Sequence, residues 1–304
     1  MAALNRSVLG SLLVVALAVP AKAELPMVEG SESSLASSPA AASALTPAPA
    51  PEPALSPTPI PAPVGSAGSV EPAESKETTA NNPLSLVPAV QVQNYFQPVL
   101  NGQGGSNQPY IRAILPFDGF GGRNLMRISL PTATMVWNDE GMQAGLGDLT
   151  VFSVRVFKIS HNAGIGVGPL LVVPTTTNRA VGLKDWQLGA QGTFSAHYPW
   201  GLLAGLLGYQ QSLGGKANTF TAQPFIFRNI GDGFYLRSSA IATLDTSNGT
   251  GVLPIGLGLG RVTRLPSGHL LNVYLEPQYS VVAQGDAQPR FQVFAGFNLQ
   301  FVQK

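Results

Sequence analysis

The chain has 304 residues, a formal net charge of +1 and no cysteine. Disulfides, a thioether lipid anchor and thiolate metal sites are therefore excluded, and so slight a charge leaves no nucleic-acid-binding patch. Only 11% of residues are charged and the mean hydropathy is +0.17, whereas a soluble domain carries about 25% charged residues.

The N-terminus reads as a secretory signal peptide, residues 1–23. Arg6 precedes an apolar run over 8–19, and Ala21-Lys22-Ala23 offers small residues around a cleavage site. The run is too short to span a bilayer. Residues 24–85 then read as a disordered linker of Pro, Ala and Ser, with seven glutamates against Lys76. Such composition buries no core and favours extended polyproline conformations. It is either a passive spacer or a tether that contacts the cell wall.

From residue 86 to 304 the texture changes to short alternating segments separated by turn residues. Side chains on a strand alternate faces, so each segment can be read for its two faces. Segment 87–99 puts Gln91, Gln93, Tyr95 and Gln97 together; 109–117 opposes Ile111, Ala113 and Leu115 to Tyr110 and Arg112. Segment 124–136 opposes Met126, Ile128 and Leu130 to Arg127 and Ser129. In 149–158 both sets of alternate positions are apolar, and 164–173 is nearly all apolar, so their facing stays open. Segment 185–198 is clear: Trp186, Leu188, Ala190, Phe194 and Ala196 face out, while Gln187, Gln191, Thr193, Ser195 and His197 face in. Segments 200–213 and 219–229 are ambiguous. Segment 234–244 puts Tyr235, Arg237, Ser239 and Thr243 inside, and 252–265 sets Leu253, Ile255, Leu257 and Leu259 against Gly256, Gly258 and Gly260. The last two segments lie within 269–301. Leu271, Val273, Leu275 and Tyr279 alternate with Asn272, Tyr274, Glu276 and Gln278; Phe291, Val293, Ala295 and Phe297 alternate with Gln292, Phe294, Gly296 and Asn298.

A tilted strand crosses a bilayer in roughly 9–11 residues, which these apolar faces match. The expected fold is all-β: a transmembrane antiparallel up-and-down barrel of about twelve strands, an even number as bacterial single-chain barrels have. Connections 160–162, 198–200, 230–233 and 266–268 are short; 102–107, 137–145, 175–184, 214–218 and 246–250 are mostly longer. Barrels of the outer membrane have short periplasmic turns and longer outer loops. Both termini are then expected in the periplasm, although connection 118–123 is longer than that rule asks. The implied location is the outer membrane of a diderm bacterium, reached through a cleaved signal peptide. The implied partners are the lipid bilayer, the barrel-assembly machinery and a small solute.

Several stretches resemble a known family. They are Gly145-Leu-Gly-Asp-Leu-Thr-Val-Phe, the Gly166-Val-Gly-Pro run closing on Val-Pro-Thr at Thr175, Gln223-Pro-Phe, Pro254-Ile-Gly-Leu-Gly-Leu-Gly-Arg and the closing Pro-Arg-Phe-Gln-Val. Together they resemble the outer-membrane barrel family labelled "MetA-pathway of phenol degradation", over residues 86–304. The resemblance implies a porin-like channel that passes apolar or aromatic solutes. The chain departs from the family in its last strand, where Phe301 is followed by Val-Gln-Lys.

Arg112, Arg127 and Arg237 are expected to line the lumen with Glu276, Gln191, Tyr274 and Gln278. An arginine facing lipid at mid-membrane would cost about 2–4 kcal/mol, which favours the inward assignment. These charges either tune selectivity or pair with each other and brace the wall. Asp185 falls at a strand mouth. Tyr198, Trp200 and Phe234 lie near short turns and suit a membrane-interface girdle. His161, His197 and His269 have no metal-ligand spacing, and neither a Gly-x-Ser-x-Gly elbow nor a phosphate loop occurs. No enzyme, metal or cofactor is expected. The leading function is passive or facilitated solute passage. The alternatives are a closed barrel that anchors the Pro-rich tether, and a surface receptor or adhesin.

Overall fold

A computed structural model describes residues 80–102 and 104–302. The expected signal peptide and the linker up to residue 79 lie outside the described residues. The described chain forms sixteen strand segments: β1 (Ala89–Leu100), β2 (Gly105–Gly119), β3 (Gly122–Pro131), β4 (Thr134–Asn138), β5 (Gly141–Gly145), β6 (Leu149–Lys158), β7 (Ala163–Val173), β8 (Gln187–Tyr198), β9 (Gly201–Ser212), β10 (Asn218–Gly231), β11 (Phe234–Ser238), β12 (Ala242–Asp245), β13 (Thr250–Gly256), β14 (Gly258–Arg264), β15 (Leu270–Gln284) and β16 (Pro289–Gln300). Four staves are broken in two, namely β3 with β4, β5 with β6, β11 with β12, and β13 with β14. The sixteen segments thus make twelve antiparallel staves.

The sheet closes on itself through β1. Gln93 lies opposite Tyr110 of β2 on one side and Gly296 of β16 on the other. Closure leaves no row of unpaired backbone groups, the condition for a sheet surrounded by lipid.

The wall is inverted relative to a soluble protein. Leucines and aromatics point outward and stay exposed, among them Leu257 at 67%, Ile255 at 60% and Leu207 at 60%. Polar side chains such as Gln187, Gln278, Ser239 and Glu276 are buried inside. Such inversion suits a barrel with lipid outside and a polar interior.

Short and long connections alternate as expected. Phe120 and Gly121, both at positive φ (49° and 80°), make a two-residue turn between β2 and β3. Asp232 and Gly233, at 50° and 83°, do the same between β10 and β11. Positive φ at both central residues matches the strand twist of a tight hairpin. The connection expected over 118–123 is therefore shorter than the sequence suggested, because the strands run on to Gly119 and Gly122. At the opposite end, the expected loop 137–145 is instead mostly the hairpin β4–β5, with Trp137 opposite Met142. Asn138 Oδ1 accepts the Glu140 N–H at 3.0 Å and fixes its turn.

Residues 80–88 precede β1 and fold into the barrel at the short-turn end. We call them the strap. Ala80 packs against Leu202, Ala204, Phe227, Tyr235, Val262 and Leu270. Leu84 joins a buried cluster that runs along the wall through Leu125, Phe152, Val154, Leu170 and Val172. Gly164 and Gly166 make room for it, since a Cβ at Gly166 would sit 3.1 Å from the Leu84 side chain. Gln300 Nε2 donates to the Ala80 carbonyl at 3.2 Å, and Asn272 Nδ2 to Asn81 Oδ1 at 3.0 Å. Composition assigns residues 80–85 to the linker. Two apolar side chains and an amide with buried partners hold them in the barrel instead.

Candidate functional site

The lumen is organised around one carboxylate. Glu276 of β15 is fully buried. Its Oε2 accepts Arg237 Nε at 2.7 Å and Ser239 Oγ at 2.6 Å. Its Oε1 accepts the Ser239 backbone N–H at 2.7 Å and Gln278 Nε2 at 3.0 Å. Arg237 reaches it across β14, where Gly258 lies opposite Arg237 in the register. A Cβ on Gly258 would fall 2.3 Å from the Leu275 carbonyl, and one on Gly256 would fall 2.4 Å from Glu276 Oε1. The glycine column thus opens the space the ion pair needs. Ser239 is the first residue beyond β11, and the carboxylate satisfies the N–H that the broken ladder releases.

A chain of side-chain amides leads to the same carboxylate. Ser106 Oγ donates to Gln97 Oε1. Gln97 Nε2 donates to Gln292 at 2.7 Å, and Gln292 Nε2 to Gln278 at 2.5 Å. These residues come from β2, β1, β16 and β15, so the relay runs around a third of the wall.

At the same depth a layer of rings crosses the lumen. Tyr95 stacks on Phe294 at 4.3 Å, meets Tyr110 edge-on at 5.7 Å, and Tyr274 lies 5.2 Å from Phe294. The Arg237 guanidinium sits 3.7 Å from the Tyr274 ring centre. Toward the loop end lies a cavity of about 310 Å³, bordered by Tyr95, Tyr110, Gln97, Thr243 and Gln292. Toward the short-turn end lies a chamber of about 90 Å³, bordered by Tyr274, Phe294, Arg112, Arg127, Arg237 and the strap.

The seven residues expected to line the lumen fall into three groups. Arg237, Glu276, Gln278 and Tyr274 meet in the network just described. Arg112 and Arg127 border the smaller chamber; Arg112 lies 5.3 Å over Tyr110 and Arg127 lies 4.5 Å over Phe152. Gln191 stands apart from both and donates to the Leu207 carbonyl at 2.9 Å. Of the aromatics near short turns, Tyr198 and Trp200 are exposed and stacked at 5.3 Å. Phe234 is half-buried under the Arg261 guanidinium at 4.7 Å.

Asp185 does not face the lumen's charges. It accepts Ser212 Oγ and the Gly214 N–H, and pairs with Lys216 at 3.6 Å. These donors, the Ser212 hydroxyl foremost, hold its carboxyl below the usual value. Asp148 accepts the Thr176 and Lys184 N–H groups at 3.0 and 2.9 Å. Asp245 accepts Asn218 N–H at 3.1 Å and Asn248 Nδ2 at 2.6 Å. Each aspartate ties its own strand end to a neighbouring loop.

Sequence reasoning placed Gln97, Ser239, Gln292 and Phe294 on faces but gave them no role. The only signal was the recurrence of glutamine on inward positions of the first and last strands.

No family model matches the chain, and no curated protein matches it. Solved structures do. An outer membrane channel from Pseudomonas putida F1 superposes with a TM-score of 0.54 at 14% identity, over 71% of this chain and 96% of that one. The NanC porin superposes with a TM-score of 0.45 at 11% identity, over 71% of this chain and 100% of that one. Likeness at such identities is one of fold.

Proposed function

We propose that the chain is a channel in the outer membrane of a diderm bacterium, passing small solutes by passive or facilitated diffusion. The observation that carries this reading is the chambered lumen. A cavity of about 310 Å³ at the loop end is bordered by amides, hydroxyls and tyrosine rings together with aliphatic side chains such as Val181, Ile241 and Val252. A barrel kept only as a wall has no need of such a space. Solutes bearing aromatic rings are the class we favour, because Tyr95 and Tyr110 border the loop-end cavity and Tyr274 and Phe294 the smaller chamber. Outer loops, periplasmic termini, export by the signal peptide and insertion by the barrel-assembly machinery belong to the same reading.

The strap and the ring layer both lie within the lumen, the strap bordering the smaller chamber. The strap favours a second reading, in which the barrel anchors the Pro-rich tether by holding its end. Planar-bilayer recordings separate the two. We expect low, intermittent conductance from the full mature chain and a sustained increase when residues 80–87 are deleted. Silence in both, with the barrel still folded, would replace the channel by the anchor.

A further inference from the structure

Arg112 and Arg127 pose an electrostatic problem that the described residues leave unsolved. They sit on the neighbouring strands β2 and β3, offset by two residues, since Ile114 is opposite Arg127 and Arg112 is opposite Ser129. Both project into the chamber of about 90 Å³ above the strap. Arg112 is only 5% exposed. Among the described residues neither makes an ion pair, and Nε of each is buried without a hydrogen-bond partner. Glu276 does not serve them, for its oxygens are taken by Arg237, Ser239 and Gln278. Their contacts are with ring faces, Tyr110 and Phe152. A ring attracts a cation without neutralising it.

Two like charges close together in a confined space repel, and no described residue supplies the anion that would offset their desolvation. Arginine's planar fork matches an oxyanion in bidentate geometry. The rest of the chamber wall is amide, with Gln91, Gln93, Asn272 and Asn298 bordering it. Amide N–H groups donate to an oxyanion and add no competing charge. The volume equals a few water molecules, which admits a carboxylate or phosphate group but not a whole sugar or nucleotide.

We propose that Arg112 and Arg127 form an oxyanion-binding site in the lumen, one that takes the carboxylate or phosphate group of a small solute. The site deepens the channel reading by naming the charged group that the lumen holds. Its test is a binding measurement, so a barrel that does not conduct still answers it.

The experiment uses the full mature chain in detergent micelles. Unfolding is followed while inorganic phosphate is titrated against chloride at constant ionic strength. The expected result is a saturable rise in the unfolding midpoint, because a ligand that binds only the folded state stabilises it. Arg112→Met and Arg127→Met should each abolish the rise without lowering the phosphate-free midpoint, since each removes an unpaired buried charge. Arg112→Lys and Arg127→Lys, which keep the charge but lose the fork, should weaken the response and not abolish it. They carry the test if a methionine variant does not fold. Three results would overturn the site: no rise in the wild type, the same rise in the methionine variants, or a rise that never saturates.

Discussion

At the scale of single residues, Glu276 is the group whose loss should be felt most. It holds Arg237, the Ser239 N–H and hydroxyl, and the end of the glutamine relay. Removing one partner of a buried ion pair leaves the other charge uncompensated, at a cost of about 3–5 kcal/mol. Glu276→Gln should therefore lower the stability of the folded barrel by that order in a denaturant titration. Replacing Arg237 and Glu276 together with methionine should recover most of the loss, because no orphaned charge remains. A single variant as stable as the wild type would show that the pair is incidental. The inward facing of both residues was legible from alternation alone. Their meeting was not, because it depends on Gly258 lying opposite Arg237, and register between strands 39 residues apart in sequence is not written in either strand.

At the scale of elements, the loop-end connections are held by three aspartates, and one of them makes a pH prediction. The Asp185 carboxyl is held below its usual value by the Ser212 hydroxyl, the Gly214 N–H and Lys216. A carboxylate with a lowered folded pKa adds stability above its unfolded value, about 3.9, and that stability is lost as pH falls through the folded value. The 213–217 connection should stay fixed at neutral pH and loosen only below about pH 4. Amide exchange at Gly214, followed against pH, should show that transition, and Asp185→Asn should flatten it. Exchange independent of pH in the wild type would remove Asp185 from this role. The strands themselves were unevenly legible, and the strap explains the unevenness. The segments whose facing the sequence left open are β6, β7, β9 and β10. Their inward positions include Phe152, Val154, Leu170, Val172, Leu202, Ala204 and Phe227, which belong to the two buried clusters that Leu84 and Ala80 enter. Strands covered on both faces lose their polar alternation. In β8, whose inward residues Gln191, Thr193 and Ser195 are polar, the pattern stayed clean.

At the scale of the whole molecule, the alternation of tight turns and longer connections sets the sidedness. The 174–186 connection lies at the end opposite the termini, and 265–269 lies at the same end as them. A protease site inserted at Arg179 should be cut on intact cells, and one inserted at Ser267 only after the outer membrane is breached. The reverse pattern would invert the barrel. The count of twelve and the closure were legible because the lipid-facing period repeats in every clear strand. The four broken staves were not. At the break between β11 and β12 the Glu276 carboxylate replaces a ladder partner of Ser239, and composition does not record that exchange.

The docking of the strap also carries information about time. Ala80 is bound by Gln300, 220 residues later in the chain, and Asn81 by Asn272, 191 residues later. Contacts between segments so far apart form late, since the intervening chain must first be ordered. β1 cannot close the wall until β16 exists, and the strap cannot seat until β15 and β16 are beside it. While the wall is still closing, the mouth at the short-turn end therefore lacks its strap. The strap comes with the first residues of the described chain but is fastened by the last ones.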